Sequence, residues 1–410
     1  MRGDHGQGRP PDPARGRRRT ELPGHLRPLP LHRPQRTGRE REYLAEAIEA
    51  GAPGAGGRFT ELCTRRLQER VGCARLLLTA SCTTALELAV CLAELGPGDE
   101  AVVPSFTHWA SALAVAKTGA VPVFADIELD TLGLDPAAAA DALTPKTRAL
   151  LPTHYAGVAC DMDGLAELAR RHGLAIIEDA AHGVLAEVGG RPLGSVGDAG
   201  CFSFDPAKNV TGGEGGALAV NREDWAVRAE LLAARGVNKA AFERGEVSEY
   251  TWVDLGAAAL PTELAAAYLW AQLEEAEEIA ERRLLVWSAY HERLAAAEET
   301  GLLRRPVVPE GRRHDGHIYY VLLPDREARD AAIARLAADG VQSAFHFQPL
   351  HESEAGRRYG RVAGSPRVSE DVARRLLRLP IWPGLGVSDV ERVVSLLVRP
   401  AGRGAGSARA

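Results

Sequence analysis

Four side chains between Ala175 and Val220 have the types and spacing for covalent chemistry on a bound ligand: Asp179, His182, Ser203 and Lys208. A lysine amine can form an imine and then carry a proton as acid or base. An acid such as Asp179 can hold a pyridine-type ring nitrogen protonated. A lysine in a polar loop is ordinarily a solvated surface charge, but the neighbours of Lys208 argue for a ligand. Ser203 precedes it between Phe202 and Phe204, and Gly212-Gly213-Glu214-Gly215-Gly216 follows it, so backbone can approach a bound group closely.

The elements around these residues put them at one edge of a sheet. Ala175-Ile176-Ile177 reads as a buried strand ending at Glu178-Asp179, where open α/β sheets place their ligands. Cys201 to Phe204 reads as a second strand and Gly216 to Val220 as a third, leaving Lys208 in the loop between them. Upstream, Leu76 to Leu78 is a predicted strand, Ala80-Ser81-Cys82-Thr83-Thr84 a small-residue turn and Ala85 to Leu95 a helix. That order offers N–H groups and hydroxyls at a helix N-terminus, either as an anion site or as an ordinary N-cap. Further strands start at Ala101, Val121 and Ala149, and helices are predicted over Trp109–Thr118, Gly38–Gly51 and Arg58–Val71. Seven strands alternating with helices predict an α/β fold with a mostly parallel sheet.

Beyond this sheet, Tyr250 to Arg283 has helical spacing and leads into an α+β C-terminal part. There His317 to Leu322 reads as a strand, Asp325 to Asp339 as a helix and Phe345-His346-Phe347 as another strand. His346 and His351 are candidate substrate contacts, although single histidines on such elements are more often structural. The expected organisation is a disordered leader over 1–31, a large domain over 32–284, a small domain over 285–400 and a flexible tail over 401–410.

Composition excludes several functions. The net charge of -6, with 49 basic and 55 acidic residues mixed along the chain, is not a nucleic-acid or membrane-surface footprint. Six scattered cysteines without CxxC spacing predict reduced thiols of a cytoplasmic protein and no metal site. No apolar run reaches transmembrane length.

The chain resembles the sugar aminotransferase family named after DegT, DnrJ, EryC1 and StrS. The likeness is carried by RFTELCTRRLQERVG from Arg58, LLLTASCTTALELA from Leu76, DEAVVPSFTHWASA from Asp99 and THYAGVACDMDGLAELA from Thr153. It continues in the Ala175–Val220 stretch, in YTWVDLGAAALPTELAAAYLWAQLE from Tyr250 and in FHFQPLH from Phe345. Within the family it is most similar to the branch that aminates C-4 of nucleotide-linked 4-keto-6-deoxyhexoses.

The resemblance implies the fold-type I architecture of aminotransferases dependent on pyridoxal phosphate (PLP), with a seven-stranded large domain, a smaller α+β domain and a homodimer. It implies Lys208 as the residue that binds PLP and shuttles the proton, and Asp179 as the partner of the ring nitrogen. Thr83, Thr84 and Ser203 would hold the cofactor phosphate, His182 would contact the ring or its 3-hydroxyl, and Asn209 would position the lysine loop. An aromatic normally stacks on the ring where this chain has His108, so either His108 or Trp109 covers it, with buried packing the simpler role for Trp109. Ala258 stands where many members carry an Asn that reaches the partner subunit's phosphate, and a methyl group cannot donate.

The implied reaction moves an amino group from L-glutamate to C-4 of a nucleotide-linked, dTDP-type 4-keto-6-deoxyglucose. Alternatives are a C-3 keto-sugar or inositol aminotransferase and a ligand-sensing protein without turnover. Related C-3 dehydratases replace the lysine by histidine, so Lys208 argues against that activity.

Overall fold

The computed structural model describes residues 27–399 apart from Ala52. Most of the expected leader and the expected tail at 401–410 lie outside the described residues. Seven strands form the central sheet: β1 (Arg75–Thr79), β2 (Glu100–Pro104), β3 (Val121–Ala125), β4 (Thr147–Leu150), β5 (Ala175–Asp179), β6 (Ala199–Ser203) and β7 (Gly216–Val220). Their spatial order is β1-β7-β6-β5-β4-β2-β3, and the short strand Arg361–Val362 adds an eighth member beside β3. The sheet is parallel except at β7, which runs antiparallel to both β1 and β6.

These strands read as unbroken apolar runs because apolar clusters cover both faces. Leu76, Leu78, Phe202, Ala217 and Ala219 pack on one side, and Leu77, Val103, Ile177, Cys201, Leu218 and Val220 on the other. Each large aliphatic buried there contributes about 1.5–3 kcal/mol over exposure.

The first four helices are α1 (Glu40–Glu49), α2 (Arg58–Val71), α3 (Cys82–Leu92) and α4 (Trp109–Lys117), of which α3 and α4 border the site. Helix α3 starts three residues earlier than the apolar pattern predicts, because Ser81 caps it by accepting from the Thr84 N–H at 3.1 Å. The helix predicted from Tyr250 begins only at Glu263, where Thr262 caps it after Pro261. Its sequel, Ala276–Arg293, packs Ala276 and Ala280 against the central-sheet core and Val286 and Tyr290 into a second core. The expected boundary at 284–285 therefore falls inside one continuous helix.

That second core surrounds an antiparallel pair, β8 (Tyr319–Leu322) with β9 (Leu376–Leu379), flanked by helices Arg326–Ala338 and Val387–Val398. Phe345-His346-Phe347 is not a strand. Its backbone approaches β9 only through the Ala344–Arg378 bridge and then turns at Pro349, which has no N–H to continue a ladder. Arg27 to Leu31 also departs from the expected leader. Leu29 is buried and bridges Val341, and the Leu31 carbonyl accepts from the Ile381 N–H at 3.1 Å.

Candidate active site

Strand register brings the site residues together. Gly216 pairs with Thr79 on one side and Ser203 on the other, so the end of β1, the start of β7 and the end of β6 form one row. Asp179 ends the adjacent β5, opposite Cys201. Glycine is required at 216: a Cβ there would stand 2.4–2.7 Å from the backbone of Ser81 and Cys82. The helix start of α3 can thus lie directly on the sheet edge.

A cleft of about 290 Å³ opens above this row. Thr83, His108, Asp179, His182, Ser203 and Lys208 all line it, together with Ser81 and Cys82 from the α3 turn. Burial in this cleft lowers the pKa of Lys208 from its ordinary 10.5, and the nearby carboxylates Asp179 and Asp205 only partly oppose that shift. A lowered amine pKa raises the neutral, nucleophilic fraction near neutral pH.

Asp179 is held in place from two directions. Its Oδ2 accepts from Ser111 Oγ at 2.8 Å and its Oδ1 from the Ala181 N–H at 3.2 Å. Glu178, beside it in sequence, points to the opposite face and builds the support. Its carboxylate accepts from His154 Nε2 at 2.8 Å and from the N–H groups of Gly194, Val196 and Gly197 at 2.9, 2.7 and 2.6 Å. Burial alone would raise its pKa, and these hydrogen bonds hold it below the ordinary carboxylate value. Because strand residues alternate faces, one acid of the Glu178-Asp179 pair braces the turn over 194–197 while the other faces the cleft.

His182 has a defined tautomer. Its Nδ1 accepts the Ala156 N–H at 3.2 Å, so Nε2 carries the proton and can donate. Ala156 is held in the left-handed region, at φ 57°, a conformation that costs a non-glycine residue roughly 1–2 kcal/mol. Burial and the cations Lys208 and Arg378 keep His182 neutral, its pKa well below 6.5.

The start of α3 offers a donor set of the kind that binds an anion. Among the described residues, the cap uses the Thr84 and Ala85 N–H groups and leaves those of Cys82 and Thr83 without a protein partner. The Thr83 and Ser203 side chains border the same space. This donor set, at the N-terminus of an 11-residue helix, fits a phosphate.

Two expected residues lie behind the cleft wall. Thr84 does not line it: its hydroxyl lies 3.0 Å from Ser81 Oγ, so it stabilises the cap. Asn209 is buried outside the lining, donating to the Asp315 carbonyl at 2.9 Å and meeting His317 Nδ1 at 3.0 Å. It ties the lysine loop to the segment leading into β8.

His108 and Trp109 part company at the α4 start. His108 is the N-cap, its Nδ1 accepting from the Ala110 N–H at 3.2 Å, and its ring lines the cleft. Trp109 is 63% exposed and, with Leu113 and Tyr359, borders a separate apolar hollow, so buried packing is not its role. Ala258 is exposed and outside the cleft, although the adjacent Ala259 carbonyl accepts from the Ala80 N–H at 2.7 Å. The loop is therefore pinned beside the α3 turn without a side-chain donor at 258.

Several lining residues escaped sequence reasoning. His32 comes from the segment that pairs with the second core, and Arg283, His317 and Arg378 come from elements of that core or leading into it. Nothing in their local spacing separates them from surface or strand positions. His346 does line the cleft, with Tyr155 Oη 3.0 Å from its Nδ1, and burial together with Arg378 pushes its pKa down to about 2. His351 lies outside it, 2.6 Å from Ser105 Oγ.

Among the described residues no helix is long and apolar enough to cross a membrane. The chain is 34% identical over 369 residues to GDP-perosamine synthase of Caulobacter vibrioides, covering 89% of this chain and 96% of that protein. In structure it is similar to the aminotransferase TlmJ of Streptoalloteichus hindustanus, with a TM-score of 0.83 at 32% identity over 90% of this chain and 98% of that one. The Streptococcus pneumoniae protein Spr1654 in its PLP form superposes with the same TM-score of 0.83 at 25% identity, covering 90% of this chain and 98% of that one. A family profile spans residues 34–398, which takes in the whole central sheet and nearly all of the cleft and the second core, Leu29, Leu31 and His32 lying just before it, and the chain belongs to the DegT/DnrJ/EryC1/StrS aminotransferase family.

Proposed function

We propose that this enzyme transfers an amino group from L-glutamate to C-4 of a dTDP-linked 4-keto-6-deoxyglucose. The observation that carries the reading is the convergence of Lys208, Asp179 and the open N-terminus of α3 on one cleft. The cofactor is pyridoxal phosphate, which when bound supplies the electron sink for breaking and making the C–H bond beside the transferred nitrogen.

The α3 turn, Thr83 and Ser203 bind the phosphate, while Thr84 acts only through the Ser81 cap. Asp179, oriented by Ser111 and the Ala181 N–H, keeps the ring nitrogen protonated. His182 would donate from Nε2 to the oxygen substituent of the ring, and His108 would cover the ring. Lys208 would hold the cofactor through Nζ and would move the proton to and from the reacting carbon. Asn209 holds the lysine loop against His317 and Asp315.

The domain division stands as a further proposal: residues 32–284 form the cofactor-binding part and 285–400 the smaller part, with the cleft between them. We also propose a cytoplasmic homodimer. Support comes from the exposed apolar run Tyr250, Trp252, Val253, Leu255 and Leu260, which flanks Ala258 beside the α3 turn.

The 34% identity to a GDP-perosamine synthase favours a second reading, a GDP-linked keto sugar. Incubation with L-glutamate and a panel of dTDP- and GDP-linked 4-keto and 3-keto sugars, followed by NMR of the products, separates these readings. An amine at C-4 of the dTDP sugar is expected. Amination only at C-3, or of no nucleotide sugar at all, would refute the proposal.

A further inference from the structure

One charged group in the cleft lacks a protein partner among the described residues. Arg378 lies on β9 between Leu377 and Leu379, both buried. Strand alternation sends its side chain to the face opposite theirs, and the residue lines the cleft. Its Nε is buried and makes no hydrogen bond. Among the described residues the Tyr155 phenol acts on its charge and no carboxylate pairs with it.

Arg283, the other arginine of the cleft, is different. Its Nε and Nη2 donate to the carbonyls of Gly316 and His317 at 3.1 and 2.7 Å, so its donors are used by the fold. A half-buried guanidinium without a counter-ion is unfavourable until an anion arrives. Its planar fork suits a carboxylate better than any other small anion except phosphate.

Position decides which anion. The phosphate-type subsite lies on the central-sheet edge at α3, whereas Arg378 enters from the second core beside His346 and Ile381. Arg378 lines the same cleft as Lys208, His182 and His346, so its charge faces the space in which the reacting group must sit. An amino-acid donor reacts at the carbon that bears its own carboxylate, so its charge arrives next to Lys208. In a nucleotide sugar the diphosphate is separated from a C-4 ketone by the sugar ring, so its charge falls further out.

We propose that Arg378 is the carboxylate anchor for the amino donor, a specificity residue of the glutamate half-reaction. This rests on the aminotransferase reading above and adds the recognition of the donor to it.

The test uses PLP-loaded wild type, Arg378→Gln and Arg378→Lys. Three readouts are glutarate affinity by calorimetry, the half-reaction with L-glutamate by stopped flow, and the keto-sugar half-reaction of enzyme reconstituted with pyridoxamine phosphate. Loss of a paired guanidinium is expected to weaken glutarate binding and glutamate kcat/KM about 10- to 100-fold in Arg378→Gln, with partial recovery in Arg378→Lys. The sugar half-reaction should change less than about threefold, the size of effect left when no contact is lost.

Unchanged glutarate affinity overturns the inference, as does an equal loss in both half-reactions. Removing an uncompensated, half-buried charge should leave thermal stability equal or higher, so an Arg378→Gln protein that fails to fold also overturns it. A wild type that binds glutarate through Arg378 yet does not react with L-glutamate sinks the donor assignment and leaves the anchor standing.

Discussion

Replacing Asp179 by Asn separates the chemistry of the site from its architecture. The carboxylate accepts two hydrogen bonds, from Ser111 Oγ at 2.8 Å and the Ala181 N–H at 3.2 Å. An amide oxygen can keep the Ala181 contact, and the Ser111 hydroxyl can rotate to accept from the new NH₂. What is lost is the charge assistance, about 1 kcal/mol per bond, so folding should weaken by no more than about 2 kcal/mol. The effect on turnover should be larger, because a neutral amide no longer holds the ring nitrogen protonated. An interaction made mainly as negative charge develops on the reacting carbon lowers the rate without a matching loss of binding, here by on the order of a thousandfold, about 4 kcal/mol of barrier. PLP occupancy by absorbance and the half-reaction with L-glutamate by stopped flow read the two effects separately. Full occupancy with an unchanged half-reaction rate would refute the role given to Asp179 and leave it a strand-end acid that orders Ser111 and Ala181.

Borohydride reduction followed by peptide mapping should find the cofactor on the Lys208 peptide, and Lys208→Ala should slow the glutamate half-reaction by on the order of a thousandfold or more, as loss of a positioned acid–base group does. Glu178→Ala should strand His154 and the N–H groups of Gly194, Val196 and Gly197. At about 1–3 kcal/mol for each unsatisfied donor, denaturant unfolding should show a loss of at least about 4 kcal/mol, and Glu178→Gln a smaller one. Asp315 gives a pH signature: burial first of all raises its pKa from 3.8 to about 6, and one of its carboxylate oxygens has no hydrogen bond. A folded pKa above the unfolded one means the contribution to stability is full below the unfolded pKa and is lost as pH rises through about 6. Relative to Asp315→Asn, wild type should therefore lose about 1 kcal/mol between roughly pH 5 and pH 8 in thermal or denaturant unfolding, and parallel pH profiles would contradict this.

What the linear chain determined by itself was the set of elements whose cause is local. Unbroken apolar runs marked all seven strands of the central sheet, since parallel strands covered on both faces carry no alternation to obscure them. Residue chemistry singled out Asp179, His182, Ser203 and Lys208, because an acid at a strand end and a lysine in a glycine-rich loop have few local structural reasons to recur together. Tertiary structure decided what depends on direction. At the α4 start the extended N-cap His108 lines the cleft, while the ring of Trp109, 3.9 Å from that of His108, is largely exposed to solvent. At the α3 start the cap spends the N–H and hydroxyl of Thr84 on Ser81 and leaves Thr83 facing the site. Pairing partners distant in sequence were equally invisible. Leu29 gains its place only by bridging Val341, and Phe345-His346-Phe347 fails as a strand because only Ala344 finds a partner on β9. Arg378 shows the limit most sharply. In RLLRLPIW it is one polar residue in an apolar strand, and only the packing of β9 against the cleft, with no acid paired to it among the described residues, makes it a cation awaiting an anion.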